Sequence, residues 1–190
     1  DAQLLELLYT EEDRLPRAAL DELLKRAATT APAAARILED DSLWQDDGPR
    51  GWATLHASFL VAALRPPGAV DLLLRALNLA QETEDYLLVD FGDSLLASLG
   101  PDAAPALIAA SKNDALLPWT RIGVNDALAR IARDHPDRKD SIRDHLKESA
   151  LAGDDPDLRE AAAHLYLAFA DPDDADTVDL LVTRKTLPVE

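Results

Sequence analysis

The chain has 190 residues, no cysteine and a formal net charge of −17, and these features exclude several classes of function. A chain without cysteine has no disulfide, thiolate metal site or cysteine nucleophile, and its negative charge disfavours nucleic acid and anionic membranes as partners. No apolar run approaches 18 residues, so we expect neither a membrane span nor a signal peptide, and we predict a cytoplasmic location.

Apolar residues recur at helical spacing along the whole sequence, and no window alternates between apolar and polar residues as a strand would. Alanine, leucine and arginine, which favour helices, dominate the composition. The sequence therefore predicts an all-α protein. In chain order, the predicted helical segments cover residues 2–9, 16–29, 32–44, 50–65, 68–80, 85–99, 101–112, 118–134, 138–151, 156–170 and 175–186.

Five prolines separate these segments at a nearly constant spacing of 34 to 36 residues, which is typical of stacked helix pairs. Because proline fits the first turn of a helix but not its interior, each is predicted to mark a helix start. An aliphatic residue lies six positions after each proline and an alanine four positions before it, and we predict that these two sets pack together. The prolines are Pro32, Pro67, Pro101, Pro136 and Pro172; the aliphatic residues are Leu38, Leu73, Leu107, Ile142 and Val178; the alanines are Ala28, Ala63, Ala97, Ala132 and Ala168.

Two segments in the second half of the chain resemble a known repeat. Residues 155–163, with the sequence DPDLREAAA, followed by Asp171 and Pro172, resemble the short HEAT-like repeat of phycobilisome lyases. Thr120 and Arg121, with the apolar pairs at 127–128 and 131–132 after them, are similar to a degenerate second copy. Shorter matches upstream resemble a bacterial HEAT-like family of unknown function; they are Pro16-Arg17, Ala19-Leu20, Ile37-Leu38-Glu39, Leu55-His56, and Asp90 with Asp93.

The resemblance implies a right-handed α-solenoid of about five HEAT-like helix pairs, forming a single domain over residues 1–190. Solenoids offer extended surfaces without needing a catalytic pocket. The chain is therefore predicted to be a non-catalytic protein–protein interaction scaffold or adaptor that needs no cofactor or metal and binds a protein with a neutral or basic surface. The predicted cap covers residues 1–15, and the predicted repeats cover residues 16–45, 50–80, 84–112, 118–151 and 156–186.

An alternative function follows from the analogy with HEAT-like lyases: an enzyme, or a protein that handles a small molecule or pigment, with a concave pocket around His56, Asp90 and Asp93. His56 and Asp90 belong to a set of polar residues eleven positions before successive prolines, with Asp21 and Asn125. If the repeats stack in register, these residues lie on neighbouring first helices. Imidazole and carboxylates can serve acid–base or metal chemistry, but we favour a structural hydrogen bond between His56 and Asp90.

The three tryptophans, Trp44, Trp52 and Trp119, are interpreted as packing residues between repeats, with partner binding as the alternative because tryptophan is enriched at interface hot spots. His135, His145 and His164 lack a metal-ligand spacing and are interpreted as ordinary surface or packing residues. The candidate interaction or polar-ladder positions are Trp52, His56, Asp90, Asp93, Trp119, Arg121 and Asn125.

Charged residues on the predicted second helices could form an anion-binding stripe. Most of them, however, have an acidic residue three or four positions away, as Arg36 has Asp40, which predicts neutralisation within one helix. The acidic segment 171–176 lacks the glycine and glutamate of a calcium loop, so its aspartates are interpreted as helix caps, with divalent-cation binding as the alternative. The capping interpretation also covers Asp154, Asp155 and Asp157. The cations are Arg36, Arg75, Lys112, Arg143, Lys147 and Arg184; the expected partners of Arg75, Arg143 and Lys147 are Asp71, Asp140 and Asp144.

Overall fold

The computed structural model describes residues 2–46, 48–153, 155–184 and 186–187, and within these ranges it contains helices and no β-strand. The prediction of an all-α protein is therefore confirmed. The chain divides into two compact units, unit 1 (Asp1–Leu99) and unit 2 (Gly100–Glu190). The assignment of residues 1–190 to one repeat domain stays a prediction. None of the described helices is both long and apolar enough to cross a membrane.

Unit 1 is organised around α4, which packs against its other five α-helices. The helix α3 also packs against α5, so alternate helices are neighbours as well as consecutive ones. The side chains of Leu38, Leu60 and Leu73 are fully buried, and each burial contributes about 1.5–3 kcal/mol of transfer free energy. The helices are α1 (Ala2–Thr10), α2 (Arg17–Lys25), α3 (Ala27–Glu39), α4 (Trp52–Leu64), α5 (Ala69–Glu82) and α6 (Tyr86–Ser98), with short 3-10 turns at Glu12–Arg14, Asp41–Gln45 and Pro49–Gly51.

Unit 2 shows the same neighbour relationships. Its helix α8 packs against α10, and α7 packs against α9, in addition to the contacts of α7 with α8, α8 with α9 and α9 with α10. Leu107, Leu128 and Ile142 are fully buried, as is the ring of Tyr166. The helices are α7 (Ala104–Ser111), α8 (Pro118–Asp134), α9 (Lys139–Ala152), α10 (Pro156–Leu167) and α11 (Ala175–Thr183), with 3-10 turns at Pro101–Ala103, Pro136–Arg138 and Pro172–Asp174.

The prediction that every periodic proline starts a helix is wrong at Pro32, which lies inside α3. The chain breaks earlier, at Arg26, which ends α2 and precedes α3. Thr30 secures this break, because its hydroxyl donates a buried hydrogen bond of 2.8 Å to the Leu23 carbonyl. Pro32 lacks the backbone donor that a helix interior uses, but the alanine-rich residues on both sides of it favour helix, and α3 continues through it.

The two predicted packing sets have different outcomes. Four of the aliphatic residues, Leu38, Leu73, Leu107 and Ile142, are completely buried. The prediction that the alanines are packing residues is wrong at Ala28, Ala63 and Ala168, which are exposed, whereas Ala132 is buried and Ala97 is half-buried. A large aliphatic side chain is buried because of its own apolar area, whereas alanine is stable on either face of a helix.

The helices α5 and α6 approach closely at Gly92. A Cβ added there would lie 2.7 Å from Cδ2 of Leu77, which is well inside van der Waals contact. Leu77 is itself buried. Gly92 therefore provides the space into which the Leu77 side chain packs.

Candidate interaction surface

A cleft of about 260 Å³ opens in unit 1, beside the start of α4 and the start of α6. Trp52 and Leu55 reach it from α4, and Leu87 reaches it from α6. Asp46 and Asp85 provide its two carboxylates. The described lining contains no lysine, arginine or histidine; it consists of Leu43, Trp44, Asp46, Gly48, Gly51, Trp52, Thr54, Leu55, Thr83, Asp85 and Leu87.

Exposed apolar side chains continue from this cleft along α4 and α6. Phe59 lies one helical turn beyond Leu55, and Phe91 lies one turn beyond Leu87. The two phenylalanine rings pack edge to face with their centroids 5.6 Å apart, and Phe59, Phe91 and Leu87 are 41%, 45% and 50% exposed. We call Trp52, Leu55, Phe59, Leu87 and Phe91 the apolar strip. An exposed apolar surface of this kind is typical of an interaction site.

Backbone hydrogen bonds fix the two carboxylates of the cleft. Asp85 caps α6, its Oδ1 accepting the Leu88 amide at 3.3 Å. Asp46 Oδ1 accepts the Gly48 amide at 2.8 Å. A third carboxylate, Asp90, is exposed on α6 between Leu87 and Phe91 in sequence. The apolar strip is thus accompanied by negative charge.

His56 is half-buried, and the predicted hydrogen bond to Asp90 is not formed. Its Nδ1 lies 3.0 Å from the Leu8 carbonyl oxygen, to which a protonated Nδ1 donates. Asp93 Oδ1 accepts the amide of the following residue, Ser94, at 2.7 Å. None of His56, Asp90 and Asp93 lines the cleft, and no group of three potential metal ligands occurs among the described residues.

Asn125 has a buried partner that the sequence analysis missed. His145 Nε2 lies 3.1 Å from Asn125 Oδ1 and 2.9 Å from Ser111 Oγ. The Ser111 hydroxyl donates to the Ile108 carbonyl at 2.9 Å, so Nε2–H is the donor to both oxygens. Ser111 is therefore not arranged as a nucleophile with His145 as its base. Ser111 and His145 are 34 residues apart, which equals the spacing of the periodic prolines. That spacing is the feature of the sequence from which their contact could have been predicted.

Burial governs the protonation of His145. The side chains of Asn125 and His145 are almost completely buried, and within the described part of the chain His145 Nδ1 has no hydrogen-bond partner. Desolvation, reinforced by the positive charge of Lys112 and opposed by Glu148, lowers the pKa of His145 to about 4. The imidazole is neutral at physiological pH and has a packing role.

Arg121 and Arg159 make equivalent contacts with the chain that precedes their helices. Arg121 Nε donates to the Ser111 carbonyl at 2.8 Å, and Arg159 Nη1 donates to the Gly153 carbonyl at 2.8 Å. Arg121 also forms an ion pair of 3.0 Å with Asp114. The arginines that carried the resemblance to a repeat therefore anchor helix starts. Trp119 lies nearby on α8 and is 64% exposed.

The other two tryptophans occupy different environments. Trp44 is buried, and its indole nitrogen donates to the Leu38 carbonyl at 3.3 Å. Trp52 is half-buried at the cleft. Trp44 is therefore buried within unit 1, whereas Trp52 and Trp119 present surface to solvent; the placement of the tryptophans between repeats stays a prediction.

The predicted neutralisation within single helices is wrong for three of the cations. Arg75 pairs with Asp41, and Arg143 pairs with Asp171 at 2.8 Å. Lys147 lies 3.5 Å from Asp174. The three acids lie in or next to 3-10 turns, within reach of these long side chains.

The acidic segment after α10 is part of a charged cluster. Asp174 is buried, lies close to Arg143 and Lys147, and accepts the Asp171 amide at 3.2 Å. The Tyr166 hydroxyl approaches this carboxylate outside ordinary hydrogen-bond geometry. Burial and the carboxylate raise the pKa of Tyr166 to about 12. Asp155 caps α10 by accepting the Leu158 amide at 2.9 Å, whereas Asp154 lies outside the described residues.

Comparisons with known proteins identify no relative of this chain. No family model matches it, and no curated protein or solved structure matches it. The HEAT-like relationship therefore stays a prediction based on the motifs in the sequence.

Proposed function

We propose that the chain is a non-catalytic scaffold of HEAT-like helix pairs that holds another protein on the apolar strip of unit 1. The observation that carries this proposal is the exposed edge-to-face pair of Phe59 and Phe91 on two adjacent helices. Aromatic side chains that remain exposed on rigid helices are efficient anchors, since they lose little conformational entropy on binding. The net charge of −17 favours a partner with a neutral or basic contact surface over nucleic acid or an anionic membrane.

Contacts one repeat apart support the solenoid part of the proposal. In unit 1, Arg75 meets Asp41, 34 residues away. In unit 2, Lys112 bonds to Glu148 at 2.7 Å, 36 residues away. Together with the packing of alternate helices, these contacts are typical of stacked pairs.

The binding proposal is tested by affinity capture and quantitative mass spectrometry with three forms of the chain: wild type, Phe91→Ser and Val89→Ser. Val89 is the matched control, because it is 37% exposed on the same helix but lies on the other side from Phe91. Proteins bound through the apolar strip are expected to disappear with Phe91→Ser and to remain with Val89→Ser. An identical set of captured proteins for all three forms counts against the proposal.

A further inference from the structure

The chemistry of the cleft at one end of the apolar strip indicates what kind of partner the strip receives. This inference rests on the proposed protein-binding function. We propose that the partner is an amphipathic helical segment whose apolar side chains cover Phe59 and Phe91. A lysine or arginine of the same segment enters the cleft beside Asp46 and Asp85. Three features support this inference: the spacing of the strip, the walls of the cleft and the position of the carboxylates.

The spacing of the strip suits a helix. On α4, Trp52, Leu55 and Phe59 follow one another at positions i, i+3 and i+7, and on α6 Leu87 and Phe91 are at i and i+4. The strip therefore extends over about two helical turns, or roughly 10 Å, at 1.5 Å per residue. Because α4 and α6 pack side by side, their exposed apolar residues form a two-sided surface. Such a surface matches the i, i+3 or i+4, and i+7 anchors of an amphipathic helix.

The cleft suits a long side chain with an apolar stem and a cationic end. Trp52, Leu55 and Leu87 offer apolar walls to the methylene groups of a lysine or arginine. Asp46 and Asp85 offer two carboxylates to the charged group, and the described lining supplies no cation that would compete for them. The indole of Trp52 lines the same cleft, and indole rings attract cations.

Other occupants are disfavoured by the same two carboxylates. A purely apolar anchor would remove water from Asp46 and Asp85 without giving them a partner, which is costly. An acidic segment would meet like charges there and at the exposed Asp90. A second copy of the chain, placed strip to strip, has no lysine or arginine in its own strip to pair with Asp46 and Asp85.

A peptide selection tests the proposal even while the natural partner is unidentified. A random library of displayed peptides about four helical turns long is selected on the full chain. The enriched peptides are synthesised, and their affinities are measured by fluorescence anisotropy for wild type, Phe91→Ser, the double variant Asp46→Asn/Asp85→Asn, and Asp71→Asn. Asparagine accepts the same amide hydrogen bonds and caps a helix as well as aspartate does, so the double variant removes charge and keeps the local fold. Asp71 is an exposed aspartate on α5 that does not line the cleft and serves as the control.

We expect the enriched peptides to share spaced apolar residues and a lysine or arginine at a fixed position. Their affinity is expected to fall at least about tenfold with Phe91→Ser and about tenfold with the double asparagine variant, and to change little with Asp71→Asn. Peptides that depend on Phe91 but lack a basic residue, or ignore the double variant, overturn this inference and leave the proposed binding function standing. Peptides indifferent to Phe91→Ser, or no enrichment at all, contradict both. Self-association abolished by Phe91→Ser identifies a second copy as the occupant and overturns the inference.

Discussion

Acidification is expected to destabilise unit 2 through His145. The pKa of His145 is lowered from 6.5 to about 4 in the folded chain, chiefly by burial, so unfolding lets the imidazole take up a proton below about pH 6.5. Because the folded pKa lies below the unfolded one, the cost is absent well above pH 6.5 and grows as the pH falls toward 4. At 1.36 kcal/mol per unit, the complete shift corresponds to about 3 kcal/mol. On lowering the pH from about 7.5 to about 5, the expected loss from this one group is about 2 kcal/mol.

The assay is urea unfolding followed by far-UV circular dichroism at these two pH values, for wild type and His145→Gln. The variant loses some stability at both pH values, but glutamine does not titrate, so its unfolding free energy should fall by about 2 kcal/mol less on acidification. His56, His135 and His164 are present in both proteins, so their contributions cancel in the comparison. Equal losses of stability in the two proteins would refute the assignment of His145 as a buried neutral group.

Two further predictions concern packing and charge. Gly92→Ala is expected to lower the unfolding free energy by about 1 kcal/mol, because overpacking outweighs the gain in helix propensity. Gly123→Ala, where a Cβ meets nothing within 4 Å, should raise the unfolding free energy by about 0.5–1 kcal/mol. Thermal unfolding compares the two variants, and equal shifts contradict the close approach of α5 and α6 at Gly92. Asp174→Asn is expected to lower the urea midpoint at neutral pH, because the folded pKa of Asp174 is lowered, first by Tyr166 and then by the Asp171 amide. The effect should fade as the pH drops through that lowered pKa, and Asp173→Asn, at an exposed neighbour, is the control that should change little.

The helices could be predicted from the sequence because apolar spacing and breakers act locally. Pro67, Pro101, Pro136 and Pro172 all lie at or just before helix starts, as expected. Pro32 does not, because the start of α3 is set by the hydrogen bond from Thr30 to the preceding helix, which is a tertiary interaction. A local propensity rule has no access to the partner that decides such a boundary.

The interaction surface was harder to predict. The helix α4 is apolar on almost every side, so its residue pattern did not distinguish the face that packs in unit 1 from the face that carries Phe59. The apolar neighbours of Phe59 in sequence suggest burial, yet its side chain is 41% exposed. The pairing of Asn125 with His145 was not predicted for a related reason. It joins α8 to α9, whereas counting residues from the periodic prolines aligns only residues on equivalent helices of successive pairs.

The repeat-distance contacts also have a consequence for how the chain acquires its structure during synthesis. The pairs Arg75 with Asp41, Lys112 with Glu148 and Ser111 with His145 each close a loop of only 34 to 36 residues. Loops of this length close at small entropic cost and favour rapid folding. A nascent chain can therefore begin to order its first helices soon after they leave the ribosome, before the distal half has been translated.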